Sequence, residues 1–114
     1  MNDWSELKIT LKALAGIARL TIVYHLVHQK EITVTALTDL LGISQPLVSW
    51  HLRKLRRAGI IETRRAGRQV YCSLVAQRIQ LCIQSLESLI DPAFSLEHLP
   101  SGEALIEAEL EPEL

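Results

Sequence analysis

The stretch SQPLVSWHLRKLRRAGII, residues 44–61, combines an apolar helical stripe with dense positive charge. Val48, Leu52 and Leu55 recur at spacings of four and three, which places them on one face of an α-helix. Ser44 is a suitable N-cap, and Pro46 falls in the first turn, where a missing N–H costs nothing. The stretch therefore predicts a helix that has one apolar face and ends at Ala58-Gly59. Its cations are Arg53, Lys54, Arg56 and Arg57.

A second, shorter helix precedes this one. Thr33 is a plausible N-cap for VTALTDLL, residues 34–41, and Gly42 follows where a C-terminal glycine would stop the helix. The connection between the two helices is only Gly42-Ile43. Two helices joined by so tight a turn predict a helix-turn-helix.

A β-hairpin is predicted directly after the second helix. Residues 60–64 and 69–74 have the β-branched and aromatic content of strands. The turn between them, Arg65-Ala66-Gly67-Arg68, contains glycine and is basic. We call this hairpin, residues 60–74, the wing.

Three further helices complete the expected fold, which is mostly α with a small β-hairpin. Residues 5–15 and 17–28 read as helices, the second so apolar that it is expected to be central, and residues 29–32 read as a polar connection. Residues 75–90 read as a strong last helix, which Asp91-Pro92 ends. We predict a winged-helix domain over residues 1–92 and an acidic tail over residues 93–114, with a short helix near 103–110.

The net charge of −1 hides an uneven distribution of charge along the chain. Seven of the twelve basic residues lie between Arg53 and Arg68, where only Glu62 opposes them. From Asp91 onward there are seven acids and no Lys or Arg. This pattern predicts a basic surface in the middle of the chain and an acidic end. The tail is expected to be a solubilising extension, or to fold against a dimer or cover the basic face.

The basic surface is suited to duplex DNA. The outward face of the second helix offers Gln45 to read base edges, Ser49 as a small donor, and cations for phosphates. An α-helix fits the major groove, and its N-terminal turns meet the bases. The wing brings Arg64, Arg65 and Arg68 toward a neighbouring phosphate backbone or minor groove. Each such cation contributes to binding through counterion release.

Three segments of the chain resemble the ArsR/SmtB family of winged-helix repressors. They are LKALAGIARLTIVYHL, ALTDLLGISQPLVSWHLRKLRRAGII and RRAGRQVYCSL, which together span roughly residues 11–74. The resemblance implies a homodimeric winged helix-turn-helix repressor whose first and last helices form the dimer interface. It also implies a DNA face made by Ser44, Gln45, Pro46, Ser49, Trp50 and Arg53, with added contacts from Arg64 to Arg68.

Leucine and isoleucine on the first and last helices support dimerisation independently, because they exceed what one small core needs. They are Leu7, Leu11, Leu14, Ile79, Ile83 and Leu86. We call the second helix of the helix-turn-helix, which follows Ser44, the reading helix. A symmetric dimer would present two reading helices about 34 Å apart, one turn of DNA, and so predicts a pseudo-palindromic operator.

The metal sites of that family are not expected here. Its arsenic and lead sensors carry Cys-x-Cys at the start of the third helix, where this chain has Val34-Thr35-Ala36. Its zinc and nickel sensors carry histidines on the last helix, which has none here. No cofactor is therefore predicted, and the inducer is not readable from the sequence.

Two weaker candidates for a sensing site are left open. Cys72 and Cys82 could form a redox pair or bind a thiophilic metal, although both fall at apolar positions where cysteine acts as a small hydrophobe. His25 and His28, spaced i and i+3, could share a metal, but no third ligand is adjacent. His98 is isolated.

Other classes of function are less well supported. A winged helix that binds a protein through Trp50 is the main alternative, but the core of a protein interface is usually depleted in Lys. No nucleophile–base constellation or phosphate loop is evident, so we do not expect an enzyme. The sequence has no apolar run long enough for a bilayer and no secretory signal at its start, so we expect a cytoplasmic protein without membrane contact.

Overall fold

The computed structural model describes residues 4–96 and 98–110 of the chain. Five helices surround a small sheet, and a sixth helix lies near the C-terminal end. The elements are α1 (Trp4–Leu14), α2 (Ile17–His28), β1 (Ile32–Thr33), α3 (Val34–Leu41), α4 (Gln45–Arg57), β2 (Ile61–Ala66), β3 (Gln69–Leu74), α5 (Ala76–Leu89) and α6 (Gly102–Leu110).

The helix-turn-helix is confirmed, including both predicted N-caps. The Thr33 hydroxyl accepts a hydrogen bond from the Ala36 amide at 3.1 Å, and Gly42 ends α3 in the left-handed region with φ 68°. The Ser44 hydroxyl accepts from the Leu47 amide at 3.4 Å. These local contacts hold α3 and α4 at the tight turn that the sequence predicts.

The hydrophobic core lies between the sheet and helices α2, α3 and α4. Val48, Leu52 and Leu55 are buried, as their spacing predicts. They belong to one buried cluster with Ile22 and Leu26 of α2. The rest of the buried cluster is Ala13, Ile32, Leu37, Ala58, Ile60, Ile61 and Cys72. One face of α4 is thus fixed to the core, which leaves its other face free.

The sheet has three antiparallel strands in the order β1-β3-β2. Ile32 is paired with Cys72, and Thr33 with Tyr71. The prediction that residues 29–32 are only a polar connection is therefore wrong at Ile32. Two residues are too few to show a strand pattern, and only the partner strand β3 makes them a strand.

The wing is confirmed as a hairpin, but its strands reach further than predicted. Arg65 is paired with Val70 and Ala66 with Gln69, so only Gly67 and Arg68 form the loop. Gly67 has φ 62°, and no residue other than glycine has a positive φ in the described chain. A two-residue loop with glycine first matches the hairpin turn whose twist suits the flanking strands. Arg65 therefore lies on a strand.

Apolar side chains on α2 are less central than predicted. Ile22 and Leu26 are buried, but Ile17, Leu20 and Val27 are exposed, Ile17 by 86%. Composition shows that a helix is apolar, but it does not show which of its faces is covered. No single described helix is long and apolar enough to cross a bilayer; α1 and α2 pass such a test only jointly, with a 94° bend between them.

The C-terminal region contains the predicted short helix, α6, and none of its residues is buried. The division between a domain over residues 1–92 and a tail over residues 93–114 stays a prediction. Residues 1–3 of that domain, and residues 97 and 111–114 of that tail, lie outside the described part of the chain.

Candidate nucleic-acid interface

The outward face of α4 begins at its N-terminal turn and runs the length of the helix. Gln45 and Pro46 are exposed, Ser49 is half-buried, and Arg53 is exposed again one turn later. Ser44, the N-cap, is also exposed. This face projects polar and cationic side chains from a helix whose opposite face is buried, which is the geometry needed to enter a groove of DNA.

Trp50 lies at the edge of this face and is 40% exposed. Two cations approach its ring, Arg19 from α2 at 5.5 Å and Lys54 from α4 at 5.1 Å from the ring centroid. His51 meets the same ring edge-on, with centroids 5.0 Å apart. The indole is therefore held in a cationic and aromatic cluster rather than standing free.

The three arginines of the wing differ in their surroundings. Arg65 and Arg68 are exposed on the strand and the loop. Arg64 donates two hydrogen bonds to the Glu31 carboxylate, at 2.6 and 2.8 Å, and its guanidinium lies 4.4 Å from the centre of the Tyr71 ring. Arg64 thus links the wing to the segment before β1, whereas Arg65 and Arg68 point their charge toward solvent.

The ion pair between Glu31 and Arg64 shifts the pKa values of both groups. The hydrogen bond from Arg64 is the main cause that lowers the pKa of Glu31, and the bond to Glu31 raises the pKa of Arg64. Both groups therefore stay charged at neutral pH. Among the described residues, the wing thus presents one guanidinium paired with a carboxylate and two, Arg65 and Arg68, with no carboxylate partner.

A second contact fixes the wing to the reading helix. The Arg56 guanidinium at the end of α4 donates to the Thr63 hydroxyl of β2 at 3.5 Å. The turn between α4 and β2 is closed by Gly59, which has φ 77°. This φ lies in the left-handed region, which strains any residue with a side chain, so the turn favours glycine. The helix and the wing therefore form one surface.

Both cysteines are buried free thiols on different elements. Cys72 on β3 has no exposed surface, and burial raises its pKa to about 11. Burial also raises the pKa of Cys82 on α5. Because the thiolate is the reactive form, both thiols are poor nucleophiles at neutral pH.

The histidine pair on α2 is engaged by Tyr24. His28 Nδ1 is 2.8 Å from the Tyr24 carbonyl oxygen, and the rings of both His25 and His28 contact the tyrosine ring. Across residues 4–96 and 98–110, no three His, Cys, Asp or Glu side chains are grouped to hold a metal ion.

Two features escaped the sequence analysis. Glu31 and Arg19 join the site from elements distant in sequence, and neither has a local pattern that marks it. A cavity of about 270 Å³ also lies between α1 and α5, lined by Trp4, Leu7, Cys82 and Phe94 among others.

Taken together, an N-capped reading helix beside a basic hairpin defines a winged-helix DNA-binding protein. The profile of "Bacterial regulatory protein, arsR family" matches residues 18–63. The chain belongs to the ArsR family, and it is a DNA-binding transcriptional regulator.

Individual relatives agree with this assignment. The biofilm growth-associated repressor of Agrobacterium fabrum is 38% identical over 85 residues, 75% of this chain and 72% of that protein. The arsenic resistance transcriptional regulator ArsR1 of Pseudomonas putida is 36% identical over 83 residues, 73% of this chain but only 65% of that protein. The structure of HlyU from Vibrio cholerae superposes with a TM-score of 0.63 at 32% identity, over 75% of this chain and 92% of that one.

Proposed function

We propose that the chain is a homodimeric repressor that binds a pseudo-palindromic operator through α4 and the wing. One observation carries this proposal: α4 buries an apolar stripe while its exposed face and the adjoining hairpin carry Arg53, Arg65 and Arg68. Surfaces that bind DNA need cations held on a rigid element, because phosphate neutralisation supplies much of the affinity.

The residues of this surface divide by the kind of contact they make. Gln45 and Ser49 read base edges in the major groove, and Ser44, Pro46, Trp50 and Arg53 line the path of the backbone. Arg65 and Arg68 contact phosphates or the minor groove beside the reading helix. Arg64 acts differently, because Glu31 already compensates its charge, so it holds the wing in place.

Dimerisation is supported by the apolar side chains left uncovered on α1 and α5. Ile9 and Leu11 on α1 are exposed, as are Ile83 and Leu86 on α5, although the two helices pack against each other. A large uncovered apolar face on a small domain marks an interaction surface. To occupy two half-sites of an operator, a twofold pair through this face must hold its two copies of α4 about 34 Å apart, one turn of DNA.

Binding to the DNA upstream of the chain's own gene tests the proposal. Fluorescence anisotropy at several salt concentrations should show specific binding that weakens steeply with salt. For about 6–10 phosphate contacts the affinity falls roughly 10³–10⁵-fold between 50 and 200 mM salt. An affinity that does not change with salt concentration, or no binding to any such fragment, contradicts the proposal.

The signal that releases the DNA is not assigned. The buried, weakly acidic thiols of Cys72 and Cys82 disfavour a redox signal, and loss of DNA binding on mild oxidation would support one.

A protein-binding role through Trp50 is disfavoured by the cations around that ring. We infer a cytoplasmic protein without membrane contact, cofactor or catalytic activity. HlyU carries the name transcriptional activator, so transcription of the adjacent gene in vitro decides between repression and activation.

A further inference from the structure

Arg19 of α2 occupies an unusual place between three helices. Its Nη1 donates to the Ala13 carbonyl oxygen at the end of α1 at 3.3 Å, and its guanidinium carbon lies 5.5 Å from the centre of the Trp50 ring on α4. Its Nε is buried and has no hydrogen-bond partner within the described chain. One side chain thus connects α1, which carries the uncovered apolar face, to the reading helix.

His51 is the neighbour of this guanidinium on α4. Its ring packs edge-on against Trp50, and its Nδ1 is buried without a hydrogen-bond partner in the part of the chain that is described. A buried donor or acceptor without a partner is rare in proteins and calls for an explanation. Here two such atoms, on Arg19 and His51, flank the same indole.

We propose that Arg19 is a positioning residue for DNA reading, which fixes the orientation of Trp50 and α4 as long as His51 is neutral. This inference rests on the proposed function, because it concerns how α4 is set for the operator. The guanidinium is always charged. A proton on His51 would therefore add a third cation, after Arg19 and Lys54, around the same indole, and the contact between α2 and α4 would loosen.

The charges around His51 support this proposal. Burial is the main cause that lowers the pKa of His51, and the charge of Arg19 lowers it further. Lys54 adds a cation on the other approach to Trp50. Among the described carboxylates, Glu6 is paired with Arg78 and Glu31 with Arg64, and none from α1, α3 or β2 contributes to the shift at His51. Because the folded pKa lies below the ordinary value, the contact is intact above about pH 6.5 and is lost as pH falls through the folded pKa.

The emission of Trp50 reports this cluster without any DNA. Trp4→Phe leaves Trp50 as the single tryptophan of the chain. We expect its emission to titrate with a midpoint below about 6.5, the ordinary value for histidine. His51→Gln should abolish the titration, and Arg19→Gln should move its midpoint upward. His28→Gln, a change at an exposed histidine, is the matched control and should leave the midpoint of the Trp50 titration unchanged.

Operator affinity measured across the same pH range completes the test. Arg19→Gln should weaken operator binding at pH 7.5 by about 3- to 10-fold, the range of a partly desolvated cation–π contact, while binding to unrelated DNA changes less. Arg19→Lys, which keeps the charge, should restore part of that loss. Wild-type affinity should fall on acidification with the midpoint seen by Trp50, and His51→Gln should remove that fall.

Two results would overturn the inference. One is a Trp50 titration that persists in His51→Gln. The other is operator binding by Arg19→Gln that equals wild type at every pH. If the wild type binds no operator at all, the proposed function fails, and the Trp50 titration still decides whether Arg19 and His51 act on the indole.

Discussion

Arg64 of the wing and Glu31 before β1, thirty-three residues apart, form a two-pronged ion pair with N–O distances of 2.6 and 2.8 Å. A guanidinium and a carboxylate in this fork geometry match in shape as well as in charge. The pair joins the segment before the edge strand β1 to the hairpin that is proposed to touch DNA. Two arginines that are close neighbours in sequence, Arg64 and Arg65, thereby acquire different roles.

The wing arginines should differ in their contribution to the salt dependence of DNA binding. Arg65→Gln and Arg68→Gln should each reduce the slope of log affinity against log salt by about 1, because each removes one phosphate contact. Arg64→Gln should leave the slope nearly unchanged, since Glu31 compensates its charge. Anisotropy titrations of the three variants on one operator provide the comparison. Equal slopes for all three would show that Glu31 does not occupy Arg64 in the complex.

The same ion pair predicts a pH dependence of folding. Arg64 lowers the pKa of Glu31 below 4.5, so the pair stabilises the fold above that pH and stops doing so as pH falls through the folded pKa. Urea unfolding of wild type and Glu31→Gln should therefore differ at pH 7, and the difference should shrink as pH falls below 4.5. Both side chains are on the surface, so the difference will be small. A gap that widens on acidification would contradict the assignment.

The cap of α3 should be measurable independently of DNA. Thr33→Ala removes the acceptor for the Ala36 amide and should cost about 0.5–2 kcal/mol of unfolding free energy. Thr33→Ser keeps the hydroxyl and is the matched control. Thermal unfolding of the two variants separates the loss of the cap from the loss of the methyl group. Equal stability of the alanine and serine variants would mean that the cap contributes nothing.

Local patterns predicted the reading helix well. The N-cap, the early proline and the spacing of Val48, Leu52 and Leu55 act within a few residues, so they can be read from one stretch of chain. The same holds for Thr33, Gly42 and the glycine of the hairpin. These features rest on backbone geometry and helical periodicity, which the sequence carries directly.

Contacts between distant segments could not be predicted in this way. β1 exists only because β3 pairs with it, and the partners of Arg64 and Trp50 come from Glu31 and Arg19. Likewise, the apolar composition of α2 predicted that this helix is central in the fold, whereas several of its apolar side chains are exposed. A sequence shows which residues are able to be buried, and the packing of other elements decides which are.

Dimerisation through α1 and α5 predicts a sharp effect of charge on that face. Ile83→Glu should convert a dimer to a monomer, because it places a carboxylate in an apolar contact. Ile83 is 50% exposed and Leu105 on α6 is 54% exposed, so Leu105→Glu is a matched control that should stay dimeric. Light scattering behind size exclusion reads the mass of each. A dimeric Ile83→Glu variant would place the interface elsewhere.

The most direct test of the central claim is the base preference of Gln45→Ala, measured on operators that carry each single base-pair substitution. If α4 reads the groove as one half of a twofold pair, the variant loses discrimination at one position in each half-site, symmetrically, by about 1–3 kcal/mol per contact. Its discrimination elsewhere should match the wild type. A variant that keeps the full wild-type preference at every position would contradict the account.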